Sequence, residues 1–294
     1  MRNVTEMREF EILINGKDKT RNNLLVKALE CIHGSCKHEA VDENGEIPLI
    51  ASPWSDPDTW SGILPADDDE IEIATNMWVE LDLAETPRLK KLTINGRLTF
   101  KDDSAKTLRS HLIWVRAGEL LVGTKAAPYQ NDLTIEMLGH TESETLTLGG
   151  LVKAGNKVLA SNNKVEIFGK PRVRMTRMIE SADASASTIK VDASTATLDW
   201  VVGDYIFIAT STIHYTHSEY RTITAITGGT ITLDKPLDHY HFGAADSTGI
   251  KYNGVDIRNE VLLLTRNIKV KGEEQDAWPG HVMATDLIDS SADG

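Results

Sequence analysis

The chain has 294 residues, of which 44 are acidic and 31 basic, and its formal net charge is -13. This charge repels phosphate backbones and anionic membrane surfaces, which argues against nucleic acid as a partner and against direct membrane insertion by this segment. No run of about 18 apolar residues occurs, so no transmembrane helix is predicted. The length suits one elongated domain or two compact ones.

Residues 1–50 are predicted to form an amino-terminal extension. Their start, MRNVTEMREFEILING, lacks the apolar stretch of a secretory signal, so an extracellular location predicts a processed piece of a larger protein. Residues 22–34 show the one helical apolar spacing of the chain, closed by a glycine. The sequon at Asn3 is a candidate glycosylation site if the chain is secreted.

Cys31 and Cys36 flank a Gly-Ser turn in ECIHGSCKHE, and three interpretations stay open. A disulfide would close a small loop and would require an oxidising compartment. A metal site would add His33 and His38, giving four soft or borderline ligands close together in sequence. Two free thiols are the third interpretation.

Residues 52–73, SPWSDPDTWSGILPADDDEIEI, combine tryptophans with an acidic loop. Asp67, Asp68 and Asp69 offer hard oxygen ligands, so they form a candidate calcium site, although the regular spacing and the glycine of an EF-hand loop are missing. The alternative is a solvated acidic turn. The tryptophans, which either plug the open end of a first coil or stack on sugar rings, are Trp54, Trp60 and Trp78.

From Ile71 onward the sequence changes to short alternating runs rich in Ile, Val, Leu and Thr, which predicts an all-β chain. Four of these runs end at a glycine, namely Gly96, Gly118, Gly139 and Gly169. Recurrence near twenty residues favours a solenoid over a β-sandwich. Glycine at each corner would supply the positive φ of a tight bend. The longer interval before Gly169 predicts an extra loop or hairpin.

A second block follows the small-residue stretch SADASASTIKVDAS, which is a candidate hinge. Its strands look antiparallel, and TGGT at Gly228 and Gly229 predicts a hairpin turn. These short hairpins are predicted to cap or extend the solenoid. Asp204, which follows Gly203, is predicted to cap a backbone turn.

Candidate catalytic groups are carboxylates and histidines in this second block. Glycoside cleavage needs two carboxylates, one of them held protonated. The available acids are Asp204, Glu219, Asp234, Asp238 and Asp256. The histidines are His214, His217, His239 and His241. A His-x-His spacing places both rings on one strand face, which suits a metal or acid–base chemistry. The alternative is packing with Tyr215 and Tyr240 at a sheet edge.

The strand LTRNIKVKGE holds the polar pair Arg266 and Asn267. A buried charge needs a partner, and Glu260 is the predicted ion-pair partner of Arg266. Asn267 is predicted to satisfy backbone groups at a bend. Alternatively, Arg266 binds a sugar carboxylate. The candidate ligand groove then consists of His239, His241, Arg258 and Arg266.

The segment with Trp54, Trp60, Gly62 and Pro65 before a β-run resembles the eight-glycine domain of fibrocystin, fibrocystin-L and the hyaluronidases of the cell-migration-inducing type. Later motifs, LDWVVGDYIFIATS, LDKPLDHYHFG and VDIRNEVLLLTRNIKVKGE, resemble the segment that joins this domain to a right-handed β-helix. The resemblance implies a right-handed parallel β-helix with short antiparallel capping hairpins. It implies an eight-glycine domain over 51–172, a β-rich continuation over 173–283 and a tail over 284–294.

The function that this resemblance implies is a non-catalytic structural and recognition module of a large extracellular or ciliary-surface glycoprotein. Its expected partners are other domains of a longer ectodomain, other extracellular proteins or a polysaccharide. The alternatives are a carbohydrate-binding module and the amino-terminal part of a hyaluronidase-like enzyme whose downstream helix is missing. The chain passes from Lys170 to Trp200 without the inserted domain of those hyaluronidases, which favours the fibrocystin side.

Overall fold

The computed structural model describes residues 13–14, 18–19, 50–149, 152–193, 198–245, 251–252, 255–274 and 277–285. The Asn3 sequon, the Cys31–Cys36 loop and the helical pattern over 22–34 lie outside these residues, as does the tail from 286 onward. Within the described residues the chain is all-β, with two short 3-10 helices at Pro57–Trp60 and Tyr215–His217. None of the described helices is long and apolar enough to cross a membrane.

The strands are numbered in chain order. They are β1 Leu13–Ile14, β2 Asp18–Lys19, β3 Ser52–Pro53, β4 Glu70–Ile73, β5 Trp78–Leu81, β6 Leu89–Ile94, β7 Arg97–Phe100, β8 Lys106–Val115, β9 Glu119–Val122, β10 Leu133–Met137, β11 Leu146–Gly149, β12 Val152–Gly155, β13 Val158–Ser161, β14 Lys164–Ile167, β15 Met175–Arg177, β16 Thr188–Lys190, β17 Tyr205–Ile208, β18 Glu219–Thr227, β19 Thr230–Leu233, β20 Lys251–Tyr252, β21 Val255–Asp256, β22 Glu260–Leu263, β23 Ile268–Gly272 and β24 His281–Ala284.

The chain divides into two compact units. The first comprises Met1–Ala127, Asp132–Phe168 and Val270–Gly294, and the second comprises Pro128–Asn131 and Gly169–Lys269. The boundary between Lys269 and Val270 falls inside the predicted continuation over 173–283. Its last part belongs to the first unit because β24 pairs in parallel with β13.

The first unit is built on two parallel sheets. One has the strand order β3, β5, β7, β9, β14, and the other contains β4, β6, β8, β13 and β24, with β10 and β23 alongside. Ile73 pairs with Ile94, and Ile94 pairs with Val115, so equivalent positions recur every 21 residues (94 minus 73, and 115 minus 94). All three side chains are buried. Each coil thus buries its apolar positions against the equivalent positions of its neighbours.

Glycine is needed at these corners mainly because a side chain would not fit there, and less because of the backbone φ. The φ values of Gly96, Gly118 and Gly169 lie outside the left-handed region, so the predicted positive φ is wrong at these three corners, whereas Gly139 does have a φ of 110°. A Cβ on Gly118 would overlap the carbonyl oxygen of Gly96, and a Cβ on Gly96 would overlap that of Ala74. Successive corners stack backbone on backbone, which leaves no room for a side chain.

The hairpin predicted before Gly169 is present. Strands β11 and β12 pair antiparallel. Leu146 and Ala154 of this hairpin pack with Leu112, Val158 and Ala160 in one apolar cluster. The hairpin therefore covers side chains of the parallel sheet that contains β8 and β13.

The second unit is an antiparallel sheet with the strand order β15, β22, β17, β18, β19, β16. Its two edge strands meet through the bridge between Met178 and Val191 and the hydrogen bond from Asp192 N to Arg177 O, 2.7 Å. The sheet therefore closes into a barrel. Gly228, with a φ of 58°, forms the hairpin turn predicted between β18 and β19.

The barrel has an apolar core of its own, which differs from the predicted short capping hairpins. The cause is alternation along most of the strands, which sends every second side chain inward. The fully buried members of this core include Met178, Val191, Ile206, Ile208, Ile231 and Val261.

Candidate functional site

A charged cluster lies inside one end of the barrel. Along β18 the buried residues are Glu219, Arg221 and Ile223, whereas Tyr220 between them is half exposed. The inward row therefore changes from an apolar side chain to two charged ones at the start of the strand. Alternation along β18 places the carboxylate and the guanidinium on the same face.

The carboxylate of Glu219 accepts four hydrogen bonds. Oε1 accepts from the backbone N–H of His239 at 2.8 Å and from Nε2 of His241 at 3.0 Å. Oε2 accepts from the backbone N–H of Asp238 at 2.9 Å and from the guanidinium of Arg221. Each oxygen has two donors, which is the arrangement that an ionised carboxylate requires when it is buried.

These donors overcome the effect of burial on the pKa of Glu219. Burial by itself raises that pKa, but the N–H of Asp238, the ring of His241, the N–H of His239 and the charge of Arg221 together hold it below its ordinary value. Hydrogen bonds to the charged form favour that form. Glu219 is therefore ionised, and its negative charge balances the positive charge of Arg221.

His241 is fully buried beside this carboxylate. Its Nδ1 lies 2.9 Å from the carbonyl oxygen of Ala209. The amide of Asn259 donates to the same carbonyl at 2.7 Å. The ring is thus fixed on both sides and joins the strand end of β17 to the carboxylate of Glu219.

Three further histidines lie next to each other. The ring of His217 stacks on that of His239, with centroids 4.1 Å apart, and lies 5.1 Å from that of His214. Burial lowers the pKa of His217, and the neighbouring rings lower it further. His217 lies in a 3-10 helix, of which His214 is the N-cap residue. Among the described residues, no group of three or more His, Cys, Asp or Glu has metal-binding geometry.

The residues of the candidate ligand groove have different surroundings. His239 stacks with His217, and His241 is enclosed with Glu219. Arg258 is buried and bonded to Asp256, with Nη2 2.8 Å from Oδ2. Only the fourth residue, Arg266, is exposed, and its guanidinium donates to the carbonyl of Thr265.

The neighbouring polar residues Arg266 and Asn267 have different contacts. The predicted ion pair between Arg266 and Glu260 is wrong, because Glu260 instead bonds Nη2 of Arg177 at 2.7 Å. Asn267 donates to the carbonyls of Tyr129 and Asn131 at 2.9 and 2.8 Å, and its oxygen accepts from Lys170 N at 3.0 Å.

Gly169 makes room for this asparagine. A Cβ at Gly169 would lie 2.7 Å from Oδ1 of Asn267. The glycine that the sequence pattern marks as a corner is therefore the place where an amide side chain packs against the backbone. Asn267 joins three backbone groups in the second unit.

Asp204 accepts from the backbone N–H of Val201 at 2.8 Å, and it also receives two bonds from Arg172, at 3.1 and 2.8 Å. Burial alone raises the pKa of Asp204, but Arg172 and the N–H of Val201 hold it below its ordinary value. Sequence reasoning missed Arg172, which is distant along the chain. It also missed Arg221, although the alternation in EYRTI places Arg221 on the same face as Glu219.

Comparison with known proteins identifies part of the chain. Residues 59–179 match the model of the G8 domain. The chain contains a G8 domain. It is 31% identical to fibrocystin-L of Mus musculus over 259 residues and 24% identical to fibrocystin of Mus musculus over 283 residues. These alignments cover 86% and 90% of this chain but only 6% and 7% of those proteins.

The G8 domain also relates the chain to a shorter protein. A G8 domain-containing protein of Dictyostelium discoideum is 28% identical over 283 residues, which cover 90% of this chain and 24% of that protein. The chain therefore spans a small part of each of these relatives. The similarity extends well beyond residue 179, the end of the match to the G8 domain.

In the G8 domain, the acidic loop caps backbone groups. Oδ1 of Asp67 accepts from Arg88 N at 2.7 Å, and Oδ2 of Asp69 accepts from Ala66 N at 2.8 Å. Asp68 has a φ of 66°. Two of the three candidate calcium ligands thus already accept backbone hydrogen bonds, Asp69 from within the turn and Asp67 from Arg88.

The three tryptophans singled out in the sequence lie at the first coils. Trp54 is buried, Trp60 meets it edge to face with centroids 4.9 Å apart, and Nε1 of Trp60 donates to Trp54 O at 2.8 Å. Trp78 lies under the guanidinium of Arg97, 5.2 Å from the ring centroid. Since β3 is an edge strand of its sheet, Trp54 covers the start of the coil stack.

Proposed function

We propose that this chain is a non-catalytic structural and recognition module of a large extracellular or ciliary-surface glycoprotein, similar to the fibrocystins. The stacked coils of the first unit would form a right-handed parallel β-helix, and the barrel would be a second rigid element. The G8 match and the relatives fibrocystin-L and fibrocystin support a fibrocystin-like module.

The observation that carries the non-catalytic part is the state of the carboxylates. A glycosidase needs one carboxylic acid whose pKa is raised, so that it is protonated when it meets the glycosidic oxygen. Here the pKa values of Asp204 and Glu219 are lowered, and that of Asp256 is lowered to about 2 by Arg258. These acids hold the fold together as anions.

The remaining candidate acids are also bonded. Oδ1 of Asp234 accepts from the backbone N–H of Thr222 at 2.8 Å, and Oδ2 of Asp238 lies 3.0 Å from Arg221. The five candidate acids therefore serve as caps or ion-pair partners. This arrangement favours a rigid scaffold over a hydrolytic site.

The proposed partners are other domains of a longer ectodomain and other extracellular proteins. The small share of each relative that the chain covers supports a modular role. The net charge of -13 disfavours nucleic acid and anionic membrane surfaces.

The test is incubation of the purified chain with hyaluronan of defined length, across acid and neutral pH, followed by size analysis of the polymer. A known hyaluronidase is the positive control. We expect the polymer length to stay unchanged. If the chain shortened hyaluronan and the substitution Glu219→Gln abolished this shortening, the proposal would be overturned in favour of a hyaluronidase-like enzyme.

A further inference from the structure

The loop between β17 and β18, residues 209–218, lies at the end of the barrel that holds the charged cluster, because β18 begins at Glu219. The first part of this loop is bonded to the barrel. The hydroxyl of Ser211 accepts from the backbone N–H of Phe242 at 2.6 Å and donates to Oδ1 of Asn259 at 2.9 Å. The base of the loop is therefore fixed.

The rest of the loop, residues 212–217, is called the loop tip. Its hydrogen bonds to described residues stay within the loop. The ring of His217 stacks on that of His239, with centroids 4.1 Å apart and planes 16° from parallel. His239 is held on the barrel, since its backbone N–H donates to Oε1 of Glu219 at 2.8 Å. Among the hydrogen bonds and ring contacts of the described residues, this stack is what joins the tip to the barrel.

The stacked rings are surrounded by groups that do not neutralise a second proton. The charged and titratable groups near the stack come from the tip, from β18 and from the segment after β19, and they are His214, Glu219, Arg221, Asp238 and His241. Both carboxylates already pair with Arg221. Among the described residues, the histidine that pairs with a carboxylate is His241. Protonation of both stacked rings would therefore place like charges side by side, which disfavours the charged form.

We propose that the stack of His217 on His239 is a pH-sensitive clasp. It holds the loop tip against the barrel at neutral pH, and it opens in mildly acidic solution as the two rings take up protons. The base of the loop stays bonded through Ser211, so the opening is local. This inference goes beyond the proposed function and does not depend on it.

The clasp is expected to open below about pH 6.5. Burial and the neighbouring histidines hold the pKa of His217 below its ordinary value of 6.5 while the tip is closed. Opening exposes the ring, so the open state takes up a proton more readily. Closure is therefore independent of pH above about 6.5 and becomes less favourable as the pH falls below that value. Glu219 stays ionised in this range, because its pKa lies below 4.5.

Opening changes the surface at this end of the barrel. The loop tip carries Ile213 and Tyr215, which are 96% and 85% exposed. The closed clasp fixes these two apolar side chains relative to the barrel, whereas an open tip leaves them free to move. The clasp therefore makes the position of an exposed apolar loop depend on pH.

The experiment is nuclear magnetic resonance of the whole chain, labelled with 13C in the histidine rings, from neutral pH down to about pH 5. At neutral pH we expect a nuclear Overhauser contact between the rings of His217 and His239, whose centroids are 4.1 Å apart. This contact should lose more than about half of its intensity at the acidic end of the range. The ring resonance of His217 should titrate with a midpoint below 6.5.

Two substitutions separate stacking from charge. His239→Phe keeps an aromatic ring for the stack but removes one titrating group, so the contact with His217 should persist to about pH 5. His239→Ala removes the ring, so the resonance of His217 should be that of an exposed histidine at every pH. Both variants keep the backbone N–H that Glu219 accepts. His140→Phe changes an exposed histidine of the first unit, and this control should behave like the unmodified chain.

A ring contact that persists unchanged to about pH 5 in the unmodified chain would overturn the proposal. Loss of the contact in His239→Phe at the same pH as in the unmodified chain would overturn it as well. Amide resonances of β18 and β22 report on the barrel, and a loss of contact that coincides with unfolding of these strands would also count against a clasp. The hyaluronan assay measures polymer length, so failure of one proposal is distinguishable from failure of the other.

Discussion

The two units neutralise a buried glutamate, Glu119 or Glu219, in different ways. In the first unit, Arg97, Glu119 and Lys164 occupy paired positions of three adjacent parallel strands, so opposite charges alternate in a column. Nε of Arg97 lies 2.8 Å from Oε2 of Glu119, and Nζ of Lys164 lies 3.6 Å from Oε1. In the second unit, Glu219 and Arg221 stand on one strand and meet inside the barrel.

The difference follows from strand direction. Parallel coils bring the same position of each repeat side by side, so one charged residue can be neutralised by its neighbours above and below. An antiparallel barrel brings loops and strand ends together, so its charges form a closed cluster with backbone donors. We therefore expect a charge substitution in the first unit to affect the charged residues on the neighbouring strands of its column. In the second unit we expect it to affect the single charged cluster inside the barrel.

The largest effect is expected from Glu219→Ala. It leaves Arg221 and His241 without their carboxylate in the interior, and loss of one partner of a buried pair costs about 3–5 kcal/mol. The measurement is chemical denaturation combined with hydrogen exchange. Exchange should rise in the barrel strands around β18 and much less in β7 and β9. Tyr220→Phe, on the same strand but on the outer face, is the control and should change stability by less than about 0.5 kcal/mol.

The first unit is expected to respond to Gly118→Ala. The added Cβ overlaps the carbonyl oxygen of Gly96, and overpacking costs about 1–3 kcal/mol. Gly228→Ala is the matched comparison, because Gly228 has a positive φ but open space around it. If Gly228→Ala destabilised the chain more than Gly118→Ala, close stacking of corners would not be the reason for glycine at residue 118. Differential scanning calorimetry measures both.

The neighbours Arg266 and Asn267 give a smaller and sharper contrast. Asn267→Ala removes three hydrogen bonds to backbone groups, and we expect a loss of roughly 1–3 kcal/mol. Arg266→Ala removes an exposed side chain and should change the free energy of unfolding by no more than about 0.5 kcal/mol. Equal effects of the two substitutions in urea denaturation would contradict the separation of their roles.

The mildest perturbation is acid. The folded-state pKa values of Glu219 and Asp204 lie below the ordinary values of 4.5 and 3.8, so their contribution to stability is fully present above those values. It is lost as the pH falls through the lowered folded-state values, because protonation then favours the unfolded chain. Melting temperature should therefore be flat near neutral pH and fall below about pH 4.5. Glu219→Gln should reduce this acid-dependent fall; an unchanged slope would count against the assigned charge state.

Part of the fold could be read from the sequence because it depends on local periodicity. Alternation of apolar residues predicted strands, and the spacing of glycines predicted repeated coils, which agrees with the 21-residue register of Ile73, Ile94 and Val115. The resemblance to the G8 domain could be seen in the sequence because it depends on short motifs, such as those around Trp54 and Trp60. The hairpin turn at Gly228 was predicted by TGGT for the same reason.

The site could be predicted only in part. Glu219 and His241 were candidates by residue type, but their pairing joins residues 22 positions apart through the barrel end. Glu260 pairs with Arg177 and not with Arg266, because β15 pairs with β22. These strands are far apart in the sequence, so no local pattern reveals their pairing. Closure of the barrel decides which charged residues meet.

By itself, the sequence determined that this protein is a chain of short strands with glycine at regular corners and a surplus of acidic residues, since these are properties of composition and short-range order. The tertiary structure alone decided that the corners stack backbone on backbone, that the second block closes into a barrel, and that its charges neutralise one another. The physical reason is that pairing between distant strands fixes which side chains share an interior, and the hydrogen-bond donors and charges that meet there then decide their charge state.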